Sequence, residues 1–156
     1  MSEETIVLGA AIIRDFRLFV ARRSQPASMA GFWELPGTEL AGDERGTLDG
    51  LFTHEFGVSL NCVDQLLSDR MLLGWQNADD DAVRASLRVW RCQLPSEATF
   101  DIDLGDPRPS GYRFDDAQWV PLDALDEVSP WRDEVRIAAG EVADYYFADL
   151  VWQDAD

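Results

Sequence analysis

The stretch from Gly37 to Val58, GTELAGDERGTLDGLFTHEFGV, constrains this chain more than any other. It reads as a loop, one short helix, then a stop. Leu48, Leu51, Phe52 and Phe56 fall at i, i+3, i+4 and i+8, which gives a helix over 47–56 one buried stripe. Gly57 follows the last apolar residue, where helices commonly end in a left-handed glycine. Upstream, the strand-like run Phe32-Trp33-Glu34-Leu35 meets Pro36-Gly37, which breaks regular structure. The unit is therefore strand, loop, helix, glycine stop.

The rest of the chain supplies strands around this unit. Thr5 to Ile13, TIVLGAAII, is nearly all apolar and predicts a central strand buried on both faces. A turn at Asp15 and Arg17 then sends Leu18 to Ala21 back as its hairpin partner. Arg22-Arg23 closes that strand, and paired arginines there suit bidentate contact with substrate phosphates. The plainer alternative is a solvated pair that offsets nearby acids. Trp33 is either core or a base-stacking ring at a cleft edge. Val58 to Leu67 and Arg70 to Trp75 read as two strands, and Ser86 to Leu94 as a third. Asn77 to Asp81 reads as a solvated hairpin tip, since it lacks the glycine and distal glutamate of a calcium loop. Pro95 to Gly111 is a polar loop whose Asp101, Asp103 and Asp106 are free to visit a site. Pro130 to Leu150 forms a C-terminal helix with Trp131, Val135, Ala138, Val142, Tyr145 and Tyr146 at helical spacing. No repeat, linker or composition break appears, so we expect one domain over 1–156. The pattern alone gives a mixed α+β class.

Composition narrows the function classes. At 156 residues with 46% hydrophobic content, the chain can bury a good core. No apolar run approaches the ~20 residues of a membrane span, and the acidic start MSEET is wrong for a signal peptide. Cys62 and Cys92 have no metal spacing and read as buried free thiols rather than a bridge. These features point to a cytoplasmic protein without a membrane partner. The net charge is -17, from 30 acids and 13 bases, and every base is an arginine. Such a field repels nucleic acid and argues against roles that need a basic groove. A small nucleotide escorted by a divalent cation remains compatible with it.

The stretch resembles a Nudix box, the signature G-x5-E-x7-R-E-U-x-E-E-x-G-U (U apolar) of the Nudix hydrolases. Ala21-Arg22-Arg23 followed by Met29-Ala30-Gly31-Phe32-Trp33-Glu34-Leu35-Pro36-Gly37 is similar to the lead-in of MutT-like members, and Gly57-Val58 to the closing pair. The resemblance covers roughly Thr5 to Tyr145. It implies a Nudix-type α/β/α sandwich with a mixed β-sheet, and hydrolysis of a nucleoside diphosphate derivative with Mg²⁺ or Mn²⁺. Anchored on Gly57, the family's R-E-U-x-E-E falls on Gly50-Leu51-Phe52-Thr53-His54-Glu55. Gly37 to Gly57 is one residue shorter than the pattern, so Asp43 or Glu44 takes the place of the first box acid.

The resemblance assigns candidate roles and exposes gaps. Glu55 becomes the metal ligand and catalytic carboxylate, and His54 a second metal ligand or a base with a near-neutral pKa. Gly37 lends a carbonyl to the metal. Asp43 or Glu44 steadies the loop or reaches metal through water. Asp115 or Asp116, in an acid-rich turn before Trp119-Val120-Pro121, supplies an extra ligand. Arg23 meets phosphate. Yet Leu51 stands where a carboxylate belongs, and Gly50 where the orienting arginine belongs. Mg²⁺ is held by oxygen ligands, and a leucine offers none. Two readings follow: a metal-dependent pyrophosphohydrolase, or a catalytically inactive Nudix-fold module that binds a nucleotide or a protein. The turn Ser129-Pro130-Trp131-Arg132 lacks the asparagine of purine-selective MutT-like relatives, which speaks against 8-oxo-dGTP as substrate. Homodimerisation stays open.

Overall fold

The computed structural model describes residues 4–95 and 112–149. Asp101, Asp103 and Asp106 lie outside the described residues. The N-terminal apolar run splits instead of forming one strand. β1 (Thr5–Ala11) and β2 (Ile13–Arg14) lie in different sheets. The hairpin partner β3 (Arg17–Arg23) pairs with β2, while β1 goes to other neighbours. β4 (Trp33–Glu34) and β5 (Gly37–Glu39) flank the Leu35-Pro36 break.

Helix α1 (Glu44–Phe56) begins three residues earlier than the apolar stripe predicts. Asp43 is its N-cap, and the carboxylate accepts from the Gly46 N–H at 2.8 Å. Gly57 ends it in the left-handed region at φ 70°, as expected. β6 (Asn61–Leu72) is one strand where two were expected. Ser68-Asp69 reads as a turn, but Asp69 takes a positive φ inside a register shift, so the strand bulges and continues. β7 (Ala85–Gln93) follows the Asn77–Asp81 turn. Asp115 and Asp116, expected in a turn, lie within β8 (Phe114–Pro121). Helix α2 (Asp133–Asp149) closes the described chain.

The strands form two four-stranded sheets. One runs β5-β1-β7-β6, with β1 and β7 parallel and the other pairs antiparallel. The other has β3 between β8 and the pair β2 and β4. Alternation along each strand feeds two cores. Val7 and Ala11 of β1 and Leu18 and Val20 of β3 face α2, with Val135, Ala138 and Val142. Leu8 and Ala10 of β1 and Phe19 and Ala21 of β3 face α1, with Leu48, Leu51, Phe52 and Phe56. The mixed strands are thus buried on both faces between two helices. This is an α+β sandwich.

Phe19 joins the second sheet to α1. Its ring lies 5.3 Å from Phe56, 6.1 Å from Phe52 and 5.2 Å from Trp119, and it is 2% exposed. Phe19→Ala should cost about 3–5 kcal/mol of unfolding free energy, the range for a buried phenylalanine cut to alanine. Urea denaturation followed by tryptophan fluorescence measures it. A loss below about 1 kcal/mol would contradict the packing described.

Candidate functional site

The β5–α1 junction opens onto two adjoining depressions, of about 660 and 520 Å³. They share Thr38, Glu39, Ala41 and Arg113. Gly37, at the start of β5, must be glycine: a Cβ there would run into the Leu8 carbonyl oxygen of β1. The Gly37 carbonyl has a partner within the protein. It accepts from Arg23 Nη2 at 2.7 Å.

Arg23 does not extend into solvent. It is 3% exposed and donates to Glu34 Oε1 through Nη2 at 2.6 Å and Nε at 3.0 Å. Its Nη1 donates to the Gln25 carbonyl at 3.2 Å. The guanidinium carbon sits 4.7 Å from the Phe114 ring centre and 5.1 Å from that of Trp75. Glu34 is equally buried, and its Oε2 lies 4.0 Å from Arg132 Nε. Arg23 is thus a buried structural cation at the inner wall of the larger depression.

On α1, the three positions that a metal-binding helix face would use differ in their surroundings. Leu51 packs in the apolar cluster with an edge on the smaller depression, which His54 also lines. His54 is half exposed and stacks on Tyr112, with ring centres 5.0 Å apart. Glu55 is fully buried. Its Oε1 accepts from the backbone N–H of Arg113 at 2.9 Å and of Phe114 at 3.2 Å. Its Oε2 accepts from Arg113 N at 3.1 Å and lies 3.5 Å from the Arg113 guanidinium and 3.7 Å from His54 Nε2. The surviving box carboxylate therefore anchors the start of β8 and holds Arg113 at the cleft.

The other candidates are engaged elsewhere. Asp43 caps α1. Glu44 turns to β7, where it meets Arg88 Nη1 at 2.8 Å and Trp90 Nε1 at 2.9 Å. Asp115 takes a 2.8 Å bond from Arg22 Nε, which raises the Arg22 pKa above its ordinary value. Trp33 is 5% exposed and sits in the core on the α2 side, so it lines neither depression. Among the described residues, no three histidines, cysteines or carboxylates converge as a metal cluster. A divalent cation would find only Glu39 and the remaining lone pairs of Glu55 and the Gly37 carbonyl at this place. The Gly37 carbonyl and Glu55 already receive N–H groups, Glu39 accepts from Trp75 Nε1 at 3.2 Å, and Arg23 and Arg113 stand against Glu34 and Glu55.

Comparison with known proteins settles the ancestry. A protein of Mycobacterium tuberculosis named "Putative 8-oxo-dGTP diphosphatase 2", found in two strains, is 32% identical over 131 residues, 76% of this chain and 82% of its own. The chain belongs to the Nudix hydrolase family. No family profile matches it. The Nudix fold agrees with solved structures. A MutT Nudix hydrolase from Burkholderia pseudomallei superposes with a TM-score of 0.62 at 24% identity, over 90% of this chain and 99% of that one. The Nudix domain of Shewanella oneidensis NrtR, solved in complex with ADP ribose, does so with a TM-score of 0.57 at 13% identity, over 88% and 85%.

Sequence reasoning about this Nudix protein missed Glu34 and Arg113. Glu34 carried a usable signal. A carboxylate inside the apolar run Phe32–Leu35 must find a cation if it is buried. Arg113 carried none, because its place depends on Glu55, far away in sequence. Arg23→Met should destabilise the protein by about 3–5 kcal/mol, because it strands the Glu34 carboxylate. Adding Glu34→Leu should recover much of that loss. Chemical denaturation of both variants is the check, and a single variant as stable as the parent would refute the structural role.

Proposed function

We propose that this Nudix-fold protein binds a small anionic, nucleotide-type ligand in the β5–α1 cleft without a divalent cation and does not turn it over at ordinary enzyme rates. The observation that carries this is the use made of Glu55. The family's metal carboxylate is spent on the Arg113 and Phe114 N–H groups, and so presents a half-exposed guanidinium to both depressions. A guanidinium offers planar paired donors to phosphate oxygens. It cannot deprotonate water or lower its pKa as a metal does. Binding is thereby retained and the hydrolytic step loses its activator. The ADP ribose complex of the NrtR domain is a fold neighbour in keeping with such a ligand.

A second reading keeps catalysis. The relative named as a diphosphatase favours it, as does Glu39, a carboxylate at the floor shared by both depressions. In that case Glu39 and Glu55 would hold Mg²⁺ or Mn²⁺ after the Arg113 contacts part.

Titration calorimetry separates the two. Inorganic pyrophosphate, ADP and ADP ribose are titrated with chelator present and then with Mg²⁺ or Mn²⁺. The first reading expects heat that the chelator leaves unchanged. It expects affinity to fall about 10- to 100-fold in Arg113→Gln, the worth of one charge-assisted hydrogen bond. Metal binding that disappears in Glu55→Gln, together with metal-dependent phosphate or nucleotide release, would establish the second reading instead.

A further inference from the structure

Cys62 and Cys92 are direct cross-strand partners on β6 and β7, and their sulfurs lie 3.6 Å apart. Residues directly opposite on antiparallel strands have Cα atoms about 4.5–5.5 Å apart, inside the window a disulfide spans. A register shift between Cys62 and Asp64 loosens the ladder beside the pair. Only side-chain rotation is needed to close the remaining gap between the sulfurs.

The two thiols are not equivalent. Cys92 is 1% exposed and sits in the core beneath α1. Cys62 is 7% exposed and lies at the floor of a surface cleft of about 500 Å³ that Arg45, Asp49 and Asn61 also line. The Cys92 thiol donates to the Cys62 sulfur, which holds Cys62 below the usual thiol range. The Arg45 guanidinium adds to this, while burial and Asp49 oppose it. The same contact with Cys62, and burial, push Cys92 up. Arg45 is fixed in place by its Nε bond to the Cys62 carbonyl at 3.1 Å.

We propose that Cys62 and Cys92 form a reversible redox pair, with Cys62 as the peroxide-reactive thiol at the cleft floor and Cys92 as its resolving partner. The Cys62 thiolate attacks one oxygen of hydrogen peroxide; the O–O bond breaks, hydroxide leaves, and Cys62 becomes a sulfenic acid. Cys92, giving up its proton, attacks the Cys62 sulfur. The S–O bond breaks, a second hydroxide leaves, and the S–S bond forms. The protons lost from the two thiols turn both hydroxides to water, so two thiols and one peroxide give one disulfide and two waters. A thiol reductant reverses the change. The disulfide would pin β6 to β7 under the helix that bounds the ligand cleft.

The chain has no other cysteine, so the test is direct. The folded protein is treated with hydrogen peroxide, quenched, alkylated and mapped by mass spectrometry. A Cys62–Cys92 cross-linked peptide, with two hydrogens lost from the intact mass and restored by dithiothreitol, is expected. In Cys92→Ser, a dimedone adduct should accumulate on Cys62; in Cys62→Ser, Cys92 should stay unlabelled in the folded state. Two thiols that survive peroxide in the native protein would overturn the proposal. So would dimedone labelling of Cys92 in preference to Cys62, or cross-linking only between molecules.

Discussion

The Arg23–Glu34 ion pair is the joint on which the cleft side of the molecule depends. β3 and β4 belong to one sheet and β5 to the other, and a single guanidinium reaches Glu34 of β4 and the Gly37 carbonyl of β5. The backbone repeats the connection: Arg23 N–H donates to the Phe32 carbonyl, Gly31 N–H to the Arg23 carbonyl, and Ala10 N–H to the Pro36 carbonyl. The start of α2 is tied to the same place, since Trp33 N–H donates to the Pro130 carbonyl and Arg132 N–H to that of Trp33. A buried pair of this kind adds little net stability over an apolar one, yet it is costly to break. Its value here is geometric. It fixes how two sheets meet at the point where the helix begins.

The same economy appears at Glu55. A buried carboxylate needs donors, and a strand that starts next to a helix needs its first N–H groups satisfied. Glu55 meets both needs by accepting from Arg113 and Phe114. The whole chain carries -17, and at the cleft Arg23 and Arg113 face the buried Glu34 and Glu55. Glu39, Asp79 and Asp80 also line the larger depression, so the cleft shares the acidic character of the chain.

Much of this was legible in sequence, and the misses have physical causes. The stripe Leu48, Leu51, Phe52 and Phe56 revealed the helix, but an apolar stripe marks only the part of a helix that faces the core. The first turn, with Glu44 on Arg88 and Trp90, had to be inferred from the capping preference of Asp43. β6 looked like two strands because Ser68-Asp69 is turn-forming chemistry; the sheet absorbed it as a bulge. The candidate acids are a different matter. Asp43, Glu44 and Asp115 are acids near the expected place in sequence, yet each finds a local donor first, a backbone N–H or an arginine. A box motif states which residues could ligate, whereas burial and competing donors decide which do. Glu34 and Arg113 escaped notice because their partners come from β3 and α1.

Leu51 shows how packing bears on the helix face that the resemblance assigns to metal. Burying a leucine contributes about 1.5–3 kcal/mol, and Leu51 is 3% exposed among Leu48, Phe52 and the strands of the α1-side core. A carboxylate at that position would stand between the apolar core and the smaller depression, which Leu51 lines, and the apolar side would oppose its ionisation. Even an ionised one would find the Gly37 carbonyl already holding Arg23, and Glu55 already holding the backbone of β8. The strand end and the helix end of the site are each satisfied without metal. Because Arg23 also secures the two sheets, freeing the carbonyl would open the joint that shapes the cleft. Stability and metal binding therefore draw on the same atoms here.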